Sequence, residues 1–122
     1  MRNQKISKAS RVGFTRLKKR SKEDFYRSVS RVMRLADWKK YIKGKKIFLK
    51  INSLSDQLVP GQCTSPWFID AVIREINSGL DCEIFLGDAD VCTARQSERS
   101  AHVWGVREIC DNYENVTYVP LS

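Results

Sequence analysis

Read from its N-terminus, the chain switches repeatedly between two hydrophobic periods. Val12, Phe14 and Leu17 make a short β-leaning segment, so residues 11–17 are a candidate first strand. Phe25, Val29, Val32, Met33 and Ala36 then recur at helical spacing. Ser21 precedes them as a capping hydroxyl, and Glu23 and Asp24 place negative charge where the first-turn N–H groups are unpaired. Arg27, Arg31 and Arg34 lie on another face of the same helix at i, i+4 and i+7. Beyond Gly44, the apolar run Ile47, Phe48, Leu49 and Ile51 stops at Asn52 and predicts a strand buried on both faces, as in a parallel sheet. Pro60 and Gly61 mark a turn in the loop at 53–63.

Thr64, Ser65 and Pro66 are a strong helix start, with a hydroxyl cap and proline at the first helical position. Ile69, Val72, Ile73 and Ile76 supply the buried stripe, and Gly79 stops the helix. Residues 82–86 predict a strand ended by Gly87, and 88–94 a loop. Residues 96–113 read as helix with a break at Gly105, and 116–119 as a last strand. The order β-α-β-α-β-α-β predicts an α/β fold, a three-layer sandwich with a mainly parallel, Rossmann-like sheet and right-handed crossovers. Residues 1–10 are expected to be a basic flexible arm, and 11–122 a single α/β domain.

Composition adds one strong asymmetry. Residues 1–50 hold 18 Lys and Arg against three acids, a net of +15, while 51–122 hold four Arg against eleven acids, a net of −7. The basic half could attract phosphate-rich partners, and the other half would repel them. No apolar run approaches the roughly 20 residues that span a bilayer, so no membrane is expected. Cys63, Cys82, Cys92 and Cys110 form no C-x-x-C pair, and residues 1–20 lack the apolar core of a signal peptide. Four free thiols in a reducing cytoplasm are the simpler account. His102 is the single histidine and has no recognisable triad partner. The glycine signatures of dinucleotide and P-loop sites are missing.

In open parallel sheets, ligands gather beyond the carboxyl ends of the strands. That rule nominates Lys50, Asn52, Ser53 and Asp56 after one strand, Thr64 and Ser65 at the next helix start, and Asp88 and Asp90 after the next strand. Lys50 would contact an anion, the helix start would add hydroxyls and backbone N–H groups, and Asp88 with Asp90 could hold a divalent cation such as magnesium.

These same positions resemble the N-terminal part of the DUF362 family, a prokaryotic domain of unknown function. Its pattern is a strand ending in Lys-Pro-Asn, a loop, a Thr-x-Pro helix start, and a strand ending in Gly-Asp or Gly-Glu. Here the counterparts are Lys50, Ile51 and Asn52, then Thr64, Ser65 and Pro66, then Gly87 and Asp88. The stretch 101–109 is similar to the family's small-residue helix before a strand like 116–119, and the resemblance covers most of 11–121. Ile51 replaces the family's proline. The ferredoxin-type cysteine clusters of many members have no counterpart, so no iron–sulfur cluster is expected. Members are usually longer, which implies an incomplete domain here, with self-association or a partner chain completing the sheet.

The leading expectation is therefore a DUF362-like domain binding an anionic small molecule or metal through Lys50, Asn52, Thr64, Ser65 and Asp88, with no catalytic base identifiable. Two alternatives stand beside it. One is a nucleic-acid-binding module using Arg27, Arg31, Arg34, Lys39, Lys40, Lys43, Lys45 and Lys46, with Trp38 and Tyr41 interleaved. The other is a structural interaction subunit whose exposed last strand pairs with another chain.

Overall fold

The computed structural model describes residues 10–18, 20–53, 56, 61–89 and 97–121. In chain order their elements are α1 (Lys22–Leu35), a 3-10 turn (Trp38–Tyr41), β1 (Lys46–Lys50), α2 (Pro66–Gly79), β2 (Glu83–Gly87), α3 (Ser97–Val103), α4 (Val106–Asp111) and β3 (Val116–Tyr118). The strands form one parallel sheet in the order β1-β2-β3. Helices alternate with parallel strands, so the fold is mixed α/β. No helix among the described residues is long and apolar enough to cross a membrane.

The local chemistry that predicts the helices is in place. The Ser21 hydroxyl accepts a hydrogen bond from the Asp24 N–H at 3.1 Å and caps α1. Pro66 opens α2, where its missing N–H removes one donor that has no intrahelical partner. Gly105 takes a left-handed conformation, φ 73°, and separates α3 from α4.

Residues 11–17 do not form the expected first strand. They have no ladder partner, and Val12 and Phe14 are each 85% exposed. The segment leans instead on α1: Gly13 sits so close to the Val32 carbonyl that any side chain would collide with it. A backbone held against a helix in this way cannot also line up in the sheet.

Strand alternation sorts the side chains by face. Ile47, Leu49, Ile84, Leu86 and Val116 join Ile69, Ile73 and Ile76 of α2 and Val106 and Cys110 of α4 in one core. On the opposite face Lys46, Phe48, Glu83 and Thr117 are exposed and Phe85 is half-buried. The register puts Phe48 beside Phe85 beside Thr117. β1 is therefore buried on one face, not on the two that its apolar run predicts.

Helix α1 packs on α2, and the cross-links along the seam show that the two run in the same direction. Lys22 lies 3.9 Å from Asp70, Glu23 lies 3.8 Å from Arg74, and Arg34 lies 2.8 Å from Glu75. The Arg74 guanidinium also stacks on the Tyr26 ring, 4.0 Å from its centroid.

Candidate functional site

Beyond the carboxyl ends of β1 and β2, a set of polar groups closes around Asp88. The Lys50 ammonium donates to one Asp88 carboxylate oxygen at 2.8 Å, and the Ala89 N–H donates to the same oxygen at 2.9 Å. The Ser53 N–H donates to the other oxygen at 2.8 Å. The Asp88 side chain is 4% exposed, whereas that of Lys50 is 64% exposed. Burial works to raise the Asp88 pKa, but the ammonium and the two backbone donors outweigh it and hold the carboxyl below its usual range.

The parallel register explains the meeting. Lys50 is level with Gly87, so Asp88 stands one step past the end of the neighbouring strand. Gly87 is required there because the Val119 carbonyl occupies the space of a β-carbon. The Lys50 ammonium also donates to the Ile51 carbonyl at 3.2 Å. Two of its three donors are thus directed by the chain, and one is left for a ligand.

The next residue along, Asn52, ties this cluster to the start of α2. Its N–H donates to the Thr64 hydroxyl at 2.8 Å, and its carbonyl accepts from the Thr64 N–H at 2.9 Å. The Asn52 side-chain amide donates to the Gln62 carbonyl. Ser65 takes the cap position of α2 without a side-chain capping bond, and its hydroxyl is on an exposed residue. Lys50, Asn52, Thr64 and Asp88 are therefore brought together by direct contacts, and Ser65 follows Thr64 at the helix tip. Nearby links include Arg99 to Asp56 at 2.9 Å and the Cys63 thiol 4.0 Å from the wholly buried Ser100 hydroxyl.

The sequence treats Lys50 and Asp88 as two separate ligand contacts, and the structure makes them partners of each other. Three of the four lone-pair positions of the Asp88 carboxylate accept protein hydrogen bonds, which describes a clamp between two loops better than a metal ligand. Asp90, the second residue of the proposed cation pair, lies outside the described residues, as does Cys92. Among the described residues no group of three His, Cys, Asp or Glu side chains could hold a metal ion. Cys82 and Cys110 are buried, and burial pushes the Cys110 thiol up to about 11. His102 is exposed on α3.

The basic residues of the first half divide. Arg27 and Arg31 are exposed on α1 and have no carboxylate partner among the described residues, while Lys40 lies 3.6 Å from Asp37 and Lys46 lies 3.8 Å from Glu83. Lys39 and Lys40 sit over the rings of Trp38 and Tyr41, at 5.8 and 5.0 Å. Lys43 and Lys45 are exposed ahead of β1. Arg34 is bound to Glu75, a carboxylate with 0% exposure that sequence reasoning missed. Glu75 accepts from the Ser30 hydroxyl at 2.6 Å, from Arg34 Nε at 2.8 Å and Nη2 at 3.3 Å, and from the Trp38 indole at 3.2 Å. Burial opposes ionisation, but these donors win and hold Glu75 below the usual carboxylate range. The available signal was an acid directly before Ile76 on the apolar stripe of α2, with Ser30 and Arg34 one turn apart on the helix before it.

Comparison of the chain with family models, with curated proteins and with solved structures finds no match.

Proposed function

We propose that this chain is a DUF362-like α/β domain that binds an anionic small molecule at the carboxyl rim of its sheet. The observation that carries this reading is the contrast across the Lys50–Asp88 pair: a buried carboxylate fixes an ammonium that stays 64% open to solvent. A lysine restrained in this way loses little rotamer freedom when an anion arrives, which favours binding. Asn52 and Thr64 set the distance between that ammonium and the tip of α2. The exposed Ser65 hydroxyl and the Trp67 N–H supply further donors, since Pro66 has no N–H and the Phe68 and Ile69 N–H groups already donate to the Ser65 carbonyl. A phosphate or carboxylate group is the ligand chemistry these donors suit.

The same reading takes the sheet as part of a Rossmann-like, three-layer sandwich. Phe48 is 44% exposed and lies beside Phe85 on the more open face. A second layer, from a further copy or a partner chain, would bury both.

Thermal-shift measurements with phosphate, sulfate, small carboxylates and magnesium test the proposal. A ligand at one hundred times its dissociation constant adds about 2.7 kcal/mol of stability, a readable rise in melting temperature. Protection of the wild type that disappears in Lys50→Ala supports the site. A wild type that no anion protects overturns it.

A further inference from the structure

We propose that the surface along α1 and the following 3-10 turn binds the phosphodiester backbone of a nucleic acid. Two shallow grooves adjoin there and share Arg34. One, of about 490 Å³, runs along α1 and is lined by Arg27, Arg31 and Tyr26. The other, of about 340 Å³, is lined by Trp38 and Lys39. Four cations and two aromatic rings therefore follow one continuous path, with Asp37 as the acid on it.

Pairing distinguishes the strip from most of the other cations carried on helices and strands. Lys22, Lys40, Lys46, Lys50 and Arg74 each lie within 4.0 Å of a carboxylate. Arg27 and Arg31 have no such partner among the described residues, so their charge is available to a ligand. Arg34 is held differently: Glu75 takes its Nε and Nη2. Its remaining nitrogen can donate outward from a guanidinium whose position is already fixed.

Spacing argues for a polymer over a single anion. Residues four apart on a helix are separated by about 6 Å along its axis, and Arg27 and Arg34 by about 10 Å. A strand of duplex DNA presents a phosphate about every 3.4 Å of axis, so the row can meet several phosphates in succession. Cations spread over about 10 Å of an open groove match a row of phosphates better than one small anion. Guanidinium groups suit phosphate oxygens because their donors are planar and paired.

The test is fluorescence anisotropy of the full chain with a labelled oligonucleotide at low salt, using RNA and DNA strands of matched sequence to identify the preferred polymer. The double substitution Arg27→Glu with Arg31→Glu is expected to weaken binding about tenfold or more and to lower the log–log salt slope by about 1.4 for two phosphate contacts on a single strand. Arg16→Glu with Lys18→Glu changes the net charge equally and should cost less than about threefold, the effect of long-range charge alone. Unchanged circular dichroism in both variants keeps the comparison on binding. The proposal is overturned if neither polymer binds, if both variants lose affinity equally, or if anionic phospholipid vesicles bind while oligonucleotides fail to compete.

Discussion

Lys50 and Asp88 leave neighbouring parallel strands one register step apart and close on each other at 2.8 Å. The carboxylate is buried, the ammonium is open, and the Ser53 N–H, three residues past Lys50, holds the other carboxylate oxygen. Asp88→Asn places an amide that cannot accept from both Lys50 and Ser53 at once. The Ser53 N–H loses its partner in a buried setting, a loss worth about 1–3 kcal/mol. Chemical denaturation should show this as a lower midpoint with an unchanged slope. An unaltered midpoint would mean that the clamp contributes nothing to stability.

The depressed pKa values of Asp88 and Glu75 set the acid limb of the stability curve. A carboxyl whose folded pKa lies below its unfolded value stabilises the fold above the unfolded value, near 4. That stability is lost as pH falls through the lower folded value. Wild-type stability should therefore decline below about pH 4. The double variant Asp88→Asn with Glu75→Gln should be less stable at neutral pH and flatter below it. Parallel acid limbs for the two proteins would contradict the assignment.

Glu75→Leu removes the acceptor shared by Ser30, Arg34 and Trp38. Arg34 can turn to water, but the Ser30 hydroxyl and the Trp38 indole lose a buried partner. The expected loss is about 1–3 kcal/mol for each buried donor left unpaired. Indole fluorescence should shift to longer wavelength as Trp38 loosens. Glu75→Gln should recover part of the stability, since its amide oxygen still accepts from one donor.

At Gly87 a single methyl group is decisive. A β-carbon there would fall on the Val119 carbonyl, whose own residue donates its N–H to Leu86 at 2.8 Å. Gly87→Ala must push β3 away from β2 and lose that hydrogen bond. Overpacking of this kind costs about 1–3 kcal/mol. Amide exchange at Val119 should quicken far more than at Ile47 on β1, and equal changes at both would refute the mechanism.

The elements governed by local chemistry were legible in the sequence. Ser21 caps α1 through its hydroxyl, Pro66 opens α2 through its fixed ring, and Gly105 divides the last helical stretch through its lack of a β-carbon, each a property of that residue alone. The apolar runs also located the three strands to within a residue or two at each end. What failed depended on distant partners. Residues 11–17 carry a β-leaning composition, yet Gly13 is committed to Val32 on α1. The burial of Glu75 was hidden because its three donors come from α1 and the 3-10 turn. The rim residues Lys50, Asn52, Thr64 and Asp88 were found by the strand-end rule. Their mutual satisfaction was not, because register and hydrogen-bond direction are properties of the assembled sheet.

The seam between α1 and α2 is graded along its length. At its start, Lys22 and Glu23 reach their partners only at 3.9 and 3.8 Å, from largely exposed side chains. At its end, the buried Glu75 holds three donor residues at 2.6 to 3.3 Å. Salt screens the first set far more than the second. Rising ionic strength should therefore peel the helix open from its leading turn while its last turn remains moored, so that thermal breathing in this element has a direction.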